Sequence, residues 1–420
     1  MIRVAHPDVL PAPAPILNAL YVLCIEQSLK HPGSLRSMQL LYHHRTQSED
    51  AQGIHISEMI KAFRDLGHDV EMVALVEANG ERERKVRGNQ WKWFIDWMPR
   101  WFYELMSLLY NLYGYYRLRQ MIKLKRPALL YERYSLNTFC GLWASRRWGI
   151  PLVLEVNAPL YHEESKFGKL TFQRLALFSE RWICSHSTWT FVVSHVMKDI
   201  LVQEGVPPEK MVVVPNGIDP QQFHPGISGD AIRKRYQLED KLVIGFVGWF
   251  RPWHGLELLL EIVHEMRLAD HGVCLLLVGD GPACPALHHY VTSHSLESTV
   301  IFTGAVKQQE VAAHIAAMDI AVQPSAPEYA CPMKIFEYMG LGKCIVAPDQ
   351  PNIREILDDG ESCLLFQVGD KASLGAVLWK LLHDPEQRAA LGRKAYHSIF
   401  ERGFLWQANA KKTLALVLGK

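Results

Sequence analysis

The chain has 420 residues, too many for one ordinary hydrophobic core, so two domains are expected. Its composition is globular, 49% hydrophobic and 21% charged, and a formal net charge of +1 gives no global attraction to nucleic acid. Eight cysteines, with no C-x-x-C pair and no Cys/His cluster at zinc-finger spacing, read as reduced thiols rather than a disulfide framework, and point to a cytosolic chain.

Residues 1–37 are punctuated by prolines. Their apolar run from Ile16 to Ile25 is too short and too poorly flanked to span a bilayer, and no signal-peptide pattern is read there. They read as an extension, disordered or loosely docked. Regular patterning starts at Met38. Met38–Tyr42 reads as a strand, Ile54–Leu66 as a helix closed by Gly67, and Val70–Val76 as the next strand. Further strands are expected at Ala128–Tyr131, Pro151–Val156, Trp189–Val193 and Met211–Val214, with helices between them. Short, continuous apolar strands alternating with amphipathic helices predict an α/β fold with a parallel sheet covered on both faces.

Residues 81–126 interrupt this half. They hold eleven Lys/Arg against four acids, and eleven aromatic residues stand between Trp91 and Tyr116. Within Trp101–Tyr116 the polar or small residues are Glu104, Ser107, Asn111 and Gly114, which fall on one stripe of a helix. A helix apolar everywhere else cannot stand free in water. Two readings fit it: burial against the first domain, or an element that docks on an anionic membrane surface through its aromatic and basic residues.

Pro215-Asn216-Gly217-Ile218-Asp219 ends the first half, and the turn-rich stretch 220–229 reads as a linker. The pattern then restarts, with strands at Leu242–Val247, Val273–Val278, Val300–Phe302, Ile320–Gln323 and Cys344–Ala347. Two open parallel sheets of this kind, facing each other, make a cleft at the carboxyl ends of their strands. Near the end of the second half, Pro332 opens a short helix on which Lys334 and Glu337 lie one turn apart. A cation, a carboxylate and free helix N–H groups at a strand–helix edge suit a ligand with phosphates and a sugar diol.

Three segments in this order resemble glycosyltransferase family 4, whose members are retaining enzymes. They are Ser194 through Asp219, Val278-Gly279-Asp280-Gly281-Pro282, and Lys334-Ile335-Phe336-Glu337-Tyr338-Met339, and the likeness runs over about residues 38–400. The resemblance implies the GT-B fold, two Rossmann-like, doubly wound domains facing a cleft. The acceptor would lie on the first domain (38–219) and the nucleotide-sugar on the second (220–400), with residues 401–420 as a helix crossing back.

The resemblance places Glu337 on the ribose hydroxyls, where both oxygens of an ionised carboxylate can accept from a cis-diol. The family often has a second glutamate eight positions earlier; Tyr329 stands there, with Glu328 beside it. Where the family has Gly-Arg and then Lys-Gly, this chain has Gly248-Trp249 and His254-Gly255. Arg251 and Lys334 then become the expected diphosphate cations, with His254 helping when protonated, and Gly279 and Ile335 complete the donor set. On the acceptor side the family's glycine-rich loop corresponds to Gln52-Gly53-Ile54-His55. Gln52 and Gly53 are expected to meet the acceptor, and His55 either substrate. Asn157 and, less centrally, Glu155 are candidates for orienting the reacting sugar.

No pair of acids is placed as in a retaining glycosidase. The resemblance implies same-face attack by the acceptor hydroxyl as the nucleoside diphosphate leaves, with the protein positioning the reactants and stabilising charge. The absence of a D-x-D motif leads us to expect no metal and no cofactor. The expected partners are a nucleoside-diphosphate sugar and a saccharide or lipid-linked acceptor, in cell-surface polysaccharide or glycolipid synthesis, with no nucleic acid. The expected place is the cytoplasm, peripheral to the inner membrane face. Two other readings stand beside this one. One is an NAD-dependent oxidoreductase, suggested by the Gly279–Gly281 turn. The other is a non-catalytic nucleotide-sugar-binding protein, suggested by the altered phosphate cations.

Overall fold

A computed structural model describes residues 37–46, 51–74, 99–166, 168 and 170–419; the extension before Ser37 and residues 81–98 of the aromatic–basic insertion lie outside these. Residues 39–420 form one compact unit containing two six-stranded sheets. The first holds β1 (Gln39–His44), β2 (Asp69–Ala74), β3 (Leu129–Arg133), β4 (Leu152–Val156), β5 (Trp189–Val192) and β6 (Met211–Val213), in the order β2-β1-β3-β4-β5-β6. The second holds β7 (Leu242–Val247), β8 (Val273–Val278), β9 (Val300–Phe302), β10 (Ile320–Val322), β11 (Cys344–Pro348) and β12 (Leu364–Phe366), in the order β12-β11-β10-β7-β8-β9. All the strand pairings in both sheets are parallel.

The helices of the first half are α1 (Ala51–Asp65), α2 (Arg100–Lys125), α3 (Cys140–Trp148), α4 (Leu160–Lys166), α5 (Gln173–His186) and α6 (His195–Gln203). Those of the second are α7 (Asp230–Arg235), α8 (Leu256–Glu265), α9 (Cys284–Ser293), α10 (Gln308–Ala316), α11 (Met333–Gly340), α12 (Pro351–Arg354), α13 (Lys371–Leu382), α14 (Pro385–Glu401) and α15 (Trp406–Leu418).

The strands form where β-prone apolar residues run on without alternation, because both faces of each sheet are covered. All six residues of β8 are buried, and β7, β8 and β9 have the bounds that their apolar runs predict. β12 was not expected from the sequence: it has three residues, too few to stand out from the turns around it. Each sheet reverses its strand order once, between β1 and β3 in the first and between β7 and β10 in the second. Such reversals open the crevice in which open α/β sheets bind ligands.

Helix α2 inverts the usual rule of burial. Its polar stripe faces the protein: Glu104, Ser107, Asn111 and Gly114 are buried, whereas Trp101, Tyr103, Leu105, Met106, Leu109, Leu112, Tyr113 and Tyr116 are exposed. The reason is hydrogen bonding. The N–H groups of Thr171 and Phe172 donate to the Glu104 carboxylate at 2.5 and 3.0 Å, just ahead of α5. Asn111 accepts from the N–H groups of Phe139 and Cys140 at 2.5 and 2.9 Å, ahead of and at the start of α3, and donates to the Asn137 carbonyl. Ser107 donates to the Leu136 carbonyl. The stripe thus satisfies backbone groups that two other helices leave unpaired. Gly114 lets the axis come close, since a Cβ there would stand 2.7 Å from the Cys140 sulfur. The helix docks on the first half through this stripe and, alongside and beyond it, through Tyr110, Leu118 and Ile122, which pack with Leu41, Val73 and Leu130 of the sheet.

Replacing Glu104 by Ala leaves the N–H groups of Thr171 and Phe172 without their carboxylate acceptor. Thermal unfolding should show a loss of about 1–3 kcal/mol, whereas a change at an exposed neighbour such as Leu105→Ala should leave the melting temperature almost unchanged.

Candidate active site

At the switch point of the second sheet, β7 ends in Val247-Gly248 and α11 begins beside it. The backbone N–H of Val247 donates to the Tyr338 hydroxyl at 3.0 Å, which ties α11 to the end of β7. Ile335, Phe336, Tyr338 and Met339 are fully buried and seat the helix in the core. This geometry holds Lys334 with its Nζ 3.9 Å from the Phe246 ring centroid. The ammonium is out of contact with water and has no hydrogen-bond partner. Burial pulls the Lys334 pKa down to about 7, against the opposing pull of Glu337. Burial pushes Glu337 up to about 7, against the pull of Lys334. An unpaired buried ammonium is costly to maintain, and an anion within reach of its protons would relieve that cost.

Two glycine turns line this spot. Gly248 has φ +144°, and a Cβ there would lie 2.9 Å from the Lys334 Nζ. A Cβ on Gly279 would lie 2.0 Å from the Gly248 carbonyl oxygen, and one on Gly281 would lie 2.5 Å from the Phe250 backbone nitrogen. The Gly279-Asp280-Gly281 turn is therefore glycine-rich because it stacks backbone on backbone against residues 248–250. That accounts for the partial dinucleotide fingerprint without NAD.

The structure brings Lys334, Gly248, Gly279 and His254 together and leaves Trp249 half exposed at the rim. Arg251 is half-buried, with its guanidinium 5.3 Å from the Trp253 ring centroid. His254 differs from the expectation that it helps as a cation. Burial, then Lys334, draw its pKa to about 3, and its Nδ1 lies 3.3 Å from the Arg251 N–H as acceptor. It is a neutral ring packed 5.2 Å from Phe246. Ile335 differs from the expectation of a donor contact, since its side chain is in the core and its N–H donates to the Pro332 carbonyl. Tyr329 is half-buried, while Glu328 is exposed.

Glu337 faces a crevice lined also by Ile54 and Glu58 of α1, Gly217, Asp219 and Trp406. The crevice exists because residues 215–219 form a seam between the halves. The Asn216 side chain donates to the Cys331 carbonyl at 2.7 Å, just before α11. Gly217 is required because a Cβ would stand 2.5 Å from the Trp406 backbone nitrogen. Asp219 pairs with Lys61 of α1 at 2.5 Å, and Gln222 donates to Glu58. Helix α15 lies along α1 and returns to the seam, where Asn409 donates to the Pro215 carbonyl and Lys412 to that of Val213. On the far side, Glu355 accepts from the N–H groups of His195 and Val196, so a carboxylate of the second half caps α6 of the first.

On the acceptor side, Gln52 and Gly53 open α1 at the surface, and His55 turns inward. The His55 ring is buried 4.7 Å from Trp406, edge to face, with Nδ1 3.3 Å from Glu155. Burial lowers its pKa to about 4, outweighing Glu155. Glu155, at the end of β4, is buried too, and Arg133 Nη1 donates to it at 2.7 Å, with the Asn157 amide as a second donor. Burial works to raise its pKa; His55, Arg133 and the hydrogen bonds more than offset this and hold the carboxyl below its ordinary value. Glu155 thereby fixes the half-buried Asn157 at the carboxyl end of the sheet. Arg133, Lys61 and Glu58 did not figure in the sequence reading. A Glu-Arg pair closing the otherwise apolar β3 was the available signal for Arg133.

Among the described residues, one cluster has donors close enough for a metal: His43, Glu132 and Cys140, all buried. Both nitrogens of His43 are already engaged, Nδ1 with Glu132 at 2.5 Å and Nε2 with the Tyr110 hydroxyl at 2.9 Å. It is a satisfied polar network beneath α2.

Residues 52–222 match the family described as Glycosyltransferase Family 4, and residues 241–384 the one described as Glycosyl transferases group 1. Among relatives, a GDP-mannose-dependent alpha-mannosyltransferase of Mycobacterium tuberculosis is 27% identical over 276 residues, 66% of this chain and 68% of its own. An alpha-D-kanosaminyltransferase of Streptomyces kanamyceticus is 24% identical over 295 residues, 69% of this chain and 76% of its own. Among solved structures, Anabaena HepE in complex with UDP superposes with a TM-score of 0.68 at 18% identity, over 91% of this chain and 100% of that one. WaaG, a glycosyltransferase involved in lipopolysaccharide biosynthesis, gives 0.66 at 14% identity over 91% and 100%. The two facing sheets are those of the GT-B fold.

The pair of pKa displacements has a testable sign. Between 4.5 and about 7 the native state holds a proton on Glu337 that the unfolded chain has released, so stability falls as pH rises. Between about 7 and 10.5 the unfolded chain holds the Lys334 proton that the native state has lost, so stability recovers. Lys334→Met should raise the melting temperature of the ligand-free protein near neutrality and reduce the rise on the alkaline side, where Lys343, drawn by burial to about 8, still contributes. A scan of melting temperature against pH checks both.

Proposed function

This chain belongs to glycosyltransferase family 4 and is a glycosyltransferase; from that premise we propose that it moves a sugar from a nucleoside-diphosphate sugar to an acceptor hydroxyl with retention of anomeric configuration. The observation that carries the reading is the Lys334 ammonium, buried and unpartnered at the switch point of the second sheet. A diphosphate placed over Gly248 would accept its protons, and Arg251 adds a second cation at the rim. Glu337, one turn along α11 and facing the crevice, would accept from the ribose hydroxyls. The donor sugar then extends towards the carboxyl end of β4, where Asn157 orients it, held by Glu155 and, through it, Arg133. His55 supports this network from behind. Gln52 and Gly53 stand at the acceptor entrance.

As the glycosyl–phosphate bond breaks, the electron pair leaves with the diphosphate. Lys334, already held away from water, and Arg251 at the rim stabilise that charge. The acceptor hydroxyl attacks from the face the diphosphate leaves, and its proton passes to the departing phosphate oxygen. The reaction needs positioning and charge stabilisation and no metal ion. The relatives include mannosyl and kanosaminyl transferases and a protein bound to UDP, which supports a nucleotide-sugar donor. The acceptor we assign is a lipid-linked or cell-surface saccharide.

Release of UDP or GDP from a panel of nucleotide-sugars tests the reading. Turnover with one of them in the presence of EDTA is expected, and turnover only with a divalent cation would contradict it. Glu337→Ala and Arg251→Ala should each raise the donor KM by about tenfold or more, the worth of one charge-assisted hydrogen bond. An unchanged KM would remove that residue from the site.

A further inference from the structure

The exposed side of α2 is continuous with α5 and α3. Glu104 joins the start of α2 to the start of α5. Arg146 of α3 lies 5.8 Å over the Trp182 ring of α5, and Trp143 of α3 stacks on Phe139 and meets Tyr115 of α2 edge-on. On α5, Leu175, Phe178 and Trp182 repeat at helical spacing and are all exposed. The resulting face carries large apolar and aromatic side chains on three helices, with Leu112 69%, Tyr103 65% and Phe178 54% exposed. Monomeric soluble proteins rarely display such a surface without a partner.

The charge on these helices identifies the partner. α2 has five Lys/Arg and one acid, α3 two and none, α5 two and one. None of the basic residues is buried, and both acids, Glu104 and Glu180, are. Every carboxylate of the three helices is turned inward and every cation is left on or near the surface. Two copies of this face would repel each other, which argues against a homodimer. An anionic lipid surface answers both features, since Trp and Tyr settle at the headgroup level and Lys/Arg meet the lipid phosphates. Among the described residues no helix is long and apolar enough to cross a membrane, so the element lies on the surface. Helix α4, which follows Asn157 at the carboxyl end of β4, is tied to α5 where Glu180 accepts from the Tyr161 N–H, so this face adjoins the carboxyl edge of the first sheet.

We propose that the joined outer face of α2, α3 and α5 docks this protein on an anionic membrane surface and presents the crevice to acceptors held there. The inference rests on the reading of a lipid-linked or cell-surface acceptor, and its test is separable from the test of the transfer reaction. Cosedimentation with vesicles of phosphatidylglycerol and phosphatidylcholine should show binding that weakens steeply with salt and is absent on phosphatidylcholine alone. The variant Leu112→Glu/Phe178→Glu, folded by circular dichroism, should bind these vesicles at least tenfold more weakly and still show the wild-type thermal shift with the nucleoside diphosphate. Wild-type protein that ignores anionic vesicles, or a variant that binds them as well as wild type, would overturn the proposal. So would a wild-type dimer in solution that the variant converts to monomer, since that assigns the face to a second copy. If the nucleotide shift is absent from wild type and vesicle binding is present, the donor reading fails and the docking surface stands.

Discussion

An ammonium group held out of water with no oxygen to receive its protons organises the second half of this molecule. Lys334 can be there only because Phe246 offers it the face of a ring, Glu337 partly balances it, and the Tyr338 hydroxyl fixes α11 to β7. Gly248 and Gly279 follow from the same constraint, since their turns must pass close to the ammonium and to each other. The neutral state of His254 follows as well, because a second buried cation beside Lys334 would raise the cost further. A site of this kind is unfavourable when empty and is relieved by an anionic ligand, and stability given up in the free protein reappears as affinity.

The seam at residues 215–219 turns two sheets into one site. Asn216 grips the loop before α11, Gly217 admits the backbone of Trp406, and Asp219 holds Lys61 of α1. Elements of both halves therefore share one short segment, and α15 braces it beside α1. The Glu355 carboxylate at the start of α6 is a second tie between the halves, made of charge and backbone dipoles rather than apolar contact. Such a tie can break and re-form with less loss than a packed core, which suits two halves that must admit and enclose a substrate.

Much of this architecture was legible in the sequence because it rests on short-range pattern. The runs at β7, β8 and β9 are bounded by turns and need no distant partner to be recognised. Lys334 and Glu337 are one turn apart, and helix geometry alone puts them together. What could not be read was the set of contacts that span the chain. The stripe on α2 was visible, but its direction is decided by loops at 136–140 and 171–172 whose N–H groups it satisfies. Hydrophobicity alone does not orient the first half of that helix, although Tyr110, Leu118 and Ile122 do turn inward. Glu155 and Arg133 lie on different strands, and only the sheet brings them to 2.7 Å. The protonation of His254 depends on burial, which no local spacing reveals.

Site and surface together describe a transferase with a buried lysine and carboxylate at the switch point of its second sheet and with outer helices that keep their acids buried and their cations outside. The central claim is that Lys334, drawn by burial to a pKa of about 7 in the empty site, is held charged by a diphosphate. Calorimetric titration of UDP or GDP at about pH 8, in buffers of different ionisation enthalpy, measures the protons exchanged on binding. With Lys334 near 7 in the free protein, binding should take up close to one proton. Binding with no proton uptake would contradict the account.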